Sequence, residues 1–129
     1  MKLLHIGDVV GAAGSRFLQE RLPNIKRTHK IDMTVVNGEN SAQGNGITKH
    51  SMEQIFSAGA DVITTGNHCF KRREALAIYD NPVVLRPANY PEGCVGHGIC
   101  TIDFGPCQVA VLNLSGTAYL DPLDNPFTV

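Results

Sequence analysis

The sequence has no tryptophan and only three tyrosines, and its 11 Lys and Arg nearly balance its 12 Asp and Glu. A formal net charge of −1 excludes a broad electrostatic footprint for nucleic acid. The short basic runs Lys26-Arg27 and Lys71-Arg72-Arg73 read as solvated helix faces rather than phosphate contacts. No apolar run approaches the roughly 20 residues that span a bilayer. The N-terminus reaches a strand and a carboxylate almost at once, unlike a signal peptide. The expectation is a soluble, cytoplasmic protein with no membrane partner. No C-x-x-C pair occurs among Cys69, Cys94, Cys100 and Cys107, so free thiols are expected in place of structural zinc or disulfides. Cys69 stands apart because it directly follows His68. The dinucleotide fingerprint is also absent, since Gly7, Gly11 and Gly14 are spaced G-x-x-x-G-x-x-G.

What is present suits one domain over residues 1–129, with 43% apolar residues to build a core. Residues 2–6 form a first short strand around Leu3, Leu4 and Ile6, expected not to be an exposed edge. A glycine-rich turn leads to Ser15, which can cap a helix burying Phe17, Leu18, Leu22 and Ile25, with a kink or two abutting helices expected around Arg21-Leu22, where Pro23 interrupts. Residues 33–37 make a second strand, and Thr48 caps a helix ending at Gly59. A third strand covers 62–65, followed by a helix over 71–79 packing on Ala75, Leu76 and Ile78. A short strand at 83–85 and a hairpin of 99–104 with 108–114 complete the regular structure. Alternating strands and helices indicate an α/β fold with a mixed, largely parallel sheet flanked by helices. No repeat or low-complexity segment divides the chain.

Three polar clusters stand where apolar runs end: Gly7-Asp8, Gly38-Glu39-Asn40 and Gly66-Asn67-His68. In a parallel sheet, ligands sit outside the carboxyl ends of the strands, so the three clusters converge. Any one of them alone is explained by a cap or a turn. Together, Asp8 and Glu39 are two carboxylates that repel unless a cation lies between them, and Asn40 and Asn67 add neutral oxygen ligands. His68 reads either as a further ligand or as a proton-handling group beside the cation.

The clusters resemble the motif ladder of the calcineurin-like metallophosphoesterases. The strings Ile6-Gly7-Asp8-Val9-Val10-Gly11, Asn37-Gly38-Glu39-Asn40, Arg86-Pro87-Ala88-Asn89-Tyr90-Pro91 and Pro122-Leu123-Asp124-Asn125-Pro126-Phe127 are similar to one branch, the YmdB-type phosphoesterases. The resemblance implies the N-terminal half of a four-layer αββα sandwich and a phosphodiesterase using two metal ions, Fe or Mn. A bridging hydroxide would attack phosphorus, with 2',3'- or 3',5'-cyclic nucleotides as substrates. By position, Asp8 and Asn40 bind one metal, Glu39 bridges both, Asn67 binds the second, and His68 gives a proton to the leaving oxygen. An RNA-related substrate and a homo-oligomer both stay open.

Two departures are local: Val10 stands where many superfamily members have histidine, and Cys69-Phe70 replaces the Thr-Trp common in the branch. The third is length, because the family's chain is about twice as long and supplies three further histidine ligands in its second half. His97 falls outside the family's ligand positions. The expectation is therefore weak metal binding and little hydrolysis by these 129 residues alone. The competing reading is a nucleotide-binding module without catalysis, although an aspartate inside the glycine turn repels a pyrophosphate.

Overall fold

The computed structural model describes residues 1–129. Strands β1 (Leu3–Ile6), β2 (Met33–Asn37), β3 (Val62–Thr64) and β4 (Val84–Leu85) form one parallel sheet in that spatial order. Each strand is added to the same edge. Right-handed crossovers therefore place all the connecting helices on one face. These are α1 (Gly11–His29), α2 (Lys49–Ala58) and a 3₁₀ helix at Arg73–Asp80. Their apolar sides meet Val36, Ile63 and Val84 of the sheet in one core with Leu18, Leu22, Ile55, Ala75 and Ile78.

The opposite face carries Met33, Val62 and Leu85, and on it lies the ribbon of β5 (Ile99–Asp103) and β6 (Gln108–Leu112). Cys100, Ile102, Val109 and Val111 of the ribbon point toward the sheet. The hairpin was expected to join the parallel sheet and make it mixed. Instead it forms a separate antiparallel sheet, and the segment leading into it makes a single bridge to β4, between Leu85 and His97. The layers are thus helices, parallel sheet and a second sheet, three of the four layers expected.

α1 begins at Gly11 rather than Ser15, with Val10 at its N-cap and no side-chain cap. Ser15 lies inside the helix, buried, and its hydroxyl has no partner. The inward face is Ser15, Leu18 and Leu22, while Phe17 is exposed under Arg21, whose guanidinium carbon lies 5.4 Å from the ring centre. Ile25 is also at the surface. The helix runs on through Pro23 without a break between two segments. Pro23 is exposed, so water can serve the carbonyl it frees four residues earlier.

α2 forms as its sequence dictates. The amide of Ser51 donates to Thr48 Oγ1 at 3.2 Å, and the amide of Thr48 donates to Ser51 Oγ at 3.0 Å, a reciprocal capping box. The segment after β3 is tighter than an α-helix. With about three residues per turn, Ala75 and Ile78 fall on one line and are buried with Tyr79, whereas Leu76 turns outward.

Candidate functional site

Parallel pairing sets Ile6 beside Val36 and Asn37 beside Thr64, so the chain leaves three adjacent strands at one level. Backbone hydrogen bonds then tie the three exits together. The amide of Val9 donates to the Asn37 carbonyl at 3.0 Å, and that of Gly11 donates to the Asn40 carbonyl at 2.8 Å. The amide of Gly38 donates to the Thr64 carbonyl at 3.0 Å. Asp8, Glu39, Asn40 and His68 are held on this frame by neighbours that are themselves paired.

Asn40 lies at the middle of a side-chain chain. Its Nδ2 donates to Asp8 Oδ1 at 2.8 Å, and its Oδ1 is 2.7 Å from His68 Nδ1. Asp8 can only accept, so the Asn40 amide must turn its NH2 toward it and its oxygen toward the imidazole. That oxygen in turn requires a hydrogen on His68 Nδ1, which leaves Nε2 as the ring's variable position. Asp8 is exposed, and Glu39, Asn40 and His68 are half-buried.

Glu39 is the least solvated of the carboxylates, with its side chain 16% exposed. It accepts from the His68 amide at 3.2 Å and from Asn37 Nδ2 at 3.4 Å, both long. Its only ionic partner is the His68 ring at 3.8 Å, with neither lysine nor arginine in salt-bridge reach. A Cβ on Gly66 would sit 2.5 and 2.6 Å from the two Glu39 oxygens. Only glycine lets the carboxylate lie against that backbone.

Asn67 lies at the same strand exit but is exposed, and its side chain joins none of these contacts. His97 is exposed, and its backbone pairs with β4 rather than with the site. Cys69 is buried behind His68, where burial pushes its thiol up and away from the thiolate a metal would need. No three His, Cys, Asp or Glu side chains come together. Asp8, Glu39 and Asn40 bring two carboxylates and one amide to this edge, oxygens of the kind hard cations take. A largely enclosed carboxylate with no lysine or arginine partner fits that reading, because an added cation would neutralise it.

Several supporting residues escaped the sequence reading. Asn37 grips Glu39 from both sides, since its Oδ1 also accepts from the Glu39 amide at 3.2 Å. Asn113 Nδ2 donates to the carbonyls of Thr65 and Leu85 at 2.7 and 3.0 Å, closing the ends of β3 and β4. Tyr79 is buried and donates to the Cys69 carbonyl at 2.7 Å, while Phe70 stacks edge-on against both Tyr79 and Tyr90. An asparagine ending a strand was the one available signal; the aromatic support joins residues too distant in sequence to show a pattern.

Residues 4–129 match the model of the family described as YmdB-like protein. The chain belongs to the YmdB-like family. A Bacillus subtilis (strain 168) protein named 2',3'-cyclic-nucleotide 2'-phosphodiesterase is 42% identical over 128 residues, covering 98% of this chain and 48% of its own. A hypothetical protein from Thermus thermophilus superposes with a TM-score of 0.93 at 35% identity, over 99% of this chain and 50% of that one. A crystal structure of a Mycoplasma pneumoniae protein called a novel phosphatase gives 0.91 at 29% identity, over 99% and 48%. The chain spans about half the length of the relatives it matches.

Proposed function

We propose that this YmdB-like chain carries one wall of a metal-dependent phosphodiesterase centre whose substrates are cyclic nucleotides, with 2',3'-cyclic nucleotides the first candidates. The name of the Bacillus relative supports the substrate class. The observation that carries the chemistry is Glu39, a largely enclosed carboxylate with no lysine or arginine partner, set 3.8 Å from the His68 ring that Asn40 links to Asp8. Asp8 and Asn40 would hold one ion, Glu39 would reach two, and Asn67, free of other contacts, would take the second. Iron or manganese suits such a set of carboxylate and amide oxygens beside an imidazole. Bound there, the ions would supply Lewis acidity toward the phosphoryl oxygens.

The chain's own residues do the rest. Asn40 has a second lone pair on its oxygen, so it can serve a cation and still accept from His68 Nδ1. This bond fixes the plane of the ring and holds a hydrogen on Nδ1, leaving Nε2 as the position that exchanges a proton. His68 then offers a proton from Nε2 to the leaving ribose oxygen, a contribution typically worth about 10²–10⁴-fold.

Hydrolysis of 2',3'-cyclic AMP with added Mn²⁺ tests the reading. The assay compares the 129-residue chain with a chimera completed by the remaining half of the Bacillus relative. The chimera should turn over, and the chain alone should do little. His68→Ala in the chimera should lower turnover by about 10²-fold or more, and Asp8→Asn should remove metal dependence and activity together. A folded, active chimera indifferent to both substitutions would overturn the proposal.

A further inference from the structure

We infer that Arg72 is a positioning residue, a strut that locks the loop carrying Asn40 to the loop carrying His68; its effect on metal binding rests on the proposed function, its effect on geometry does not. Its sequence neighbourhood, Lys71-Arg72-Arg73, suggested a solvated basic face. The structure places Arg72 differently. Its side chain is only 29% exposed and crosses from the β3 exit to the loop that follows β2. There Nε donates to the Asn45 carbonyl at 2.8 Å, and Nη2 donates to the Gln43 carbonyl.

The loop it grips needs an outside support. Gly44, Asn45 and Gly46 have φ of 86°, 108° and 78°, three successive left-handed residues, one of them bearing a Cβ. Inside the loop, the Ala42 amide donates to the Gly46 carbonyl at 3.0 Å. The Gln43 and Asn45 carbonyls point outward to the guanidinium. The arginine stem lies flat on Gly46, where a Cβ would come within 3.0 Å of Arg72 Cγ and 3.2 Å of Cδ. A planar fork can meet two carbonyls at once, which a lysine ammonium on its flexible stem cannot reproduce.

Both ends of the strut lead directly to the site. Gln43 follows Asn40 by three residues, and Arg72 follows His68 by four, with the Lys71 amide donating to the His68 carbonyl at 3.1 Å. The Asn40–His68 contact of 2.7 Å joins the same two loops. Beside that contact and the bond from the His68 amide to Glu39, Arg72 adds an attachment farther out along both loops that fixes their spacing. Its nearest acid, Glu74, lies 3.6 Å from Nη1 and is mostly exposed, so it does little to compete.

The test uses the full 129-residue chain as wild type, Arg72→Ala, Arg72→Lys and Asp8→Asn. Metal-free amide spectra decide the geometry. Arg72→Ala should keep the sheet resonances, loosen residues 43–46, and shift the Asn40 side-chain NH2 and the His68 ring signals. Added guanidinium should draw those signals back toward wild type, which a general loss of stability would not allow. If Arg72→Ala fails to fold, Arg72→Lys keeps the stem on Gly46 and should show the same shifts in weaker form. Mn²⁺ affinity should fall about tenfold in the arginine variants, as for other residues that support a ligand from behind. Asn40 and His68 signals identical to wild type in both variants would overturn the inference. If Asp8→Asn leaves Mn²⁺ affinity unchanged, the metal reading fails, and the metal-free spectra still decide for or against the strut.

Discussion

Glu39 and Gly66 form the contact on which the site turns. Gly66→Ala places a methyl about where the Glu39 oxygens now lie, so either the carboxylate or the loop must move. The atoms in the way are the far end of a flexible side chain, so the carboxylate gives way before the backbone does. Gly66→Ala should therefore bind Mn²⁺ more weakly than wild type while urea unfolding shows little loss of stability. Asn40→Asp tests the side-chain chain from another direction. It puts a second carboxylate where Asn40 now donates to Asp8 at 2.8 Å. The metal-free variant should therefore melt lower than wild type by like-charge repulsion. Mn²⁺ should raise its melting temperature by more than it raises that of wild type. Equal shifts in the two proteins would remove Asn40 from the cation's neighbourhood.

The elements show which sequence signals survive folding. Thr48 announces α2, and the capping box it forms with Ser51 should be worth about 1 kcal/mol, lost in Thr48→Ala and read by urea titration. Pro23, read as a kink or a join between two abutting helices, lies within one continuous α1, on its exposed side, where its cost is tolerated rather than avoided. Pro23→Ala should raise stability by about 1–3 kcal/mol, since proline is the poorest residue for a helix interior. Strands β1 to β3, and the placing of Asp8, Glu39, Asn40 and His68 at their exits, were legible because each of these apolar runs leads into a glycine. The arrangement behind them was not. Arg72 reaching Gln43 and Asn45, Asn113 reaching Thr65, and Tyr79 supporting Cys69 are contacts of tertiary packing, set by how loops fold over the sheet. Likewise the hairpin's alternating pattern showed that one of its faces is covered, but not which sheet covers it.

At the scale of the whole chain, the helix face of the parallel sheet is better covered than the other. The ribbon shields Met33, Val62 and Leu85, whereas Leu3 on β1 and Leu112 on β6 stand 57% and 51% exposed beside a groove of about 590 Å³. Apolar surface left open in this way binds the dye ANS, and Leu112→Lys should lower that signal with stability changed by no more than about 0.5 kcal/mol. No helix is long and apolar enough to cross a membrane. A chain spanning about half the length of its relatives and offering two carboxylates and two amides at its strand exits should bind a cation, but weakly. The most direct test is Mn²⁺ titration followed by electron paramagnetic resonance, comparing wild type with Glu39→Gln. Saturable binding that disappears in Glu39→Gln is the predicted result. Titrations that are the same for both proteins, whether saturable or not, would contradict the account.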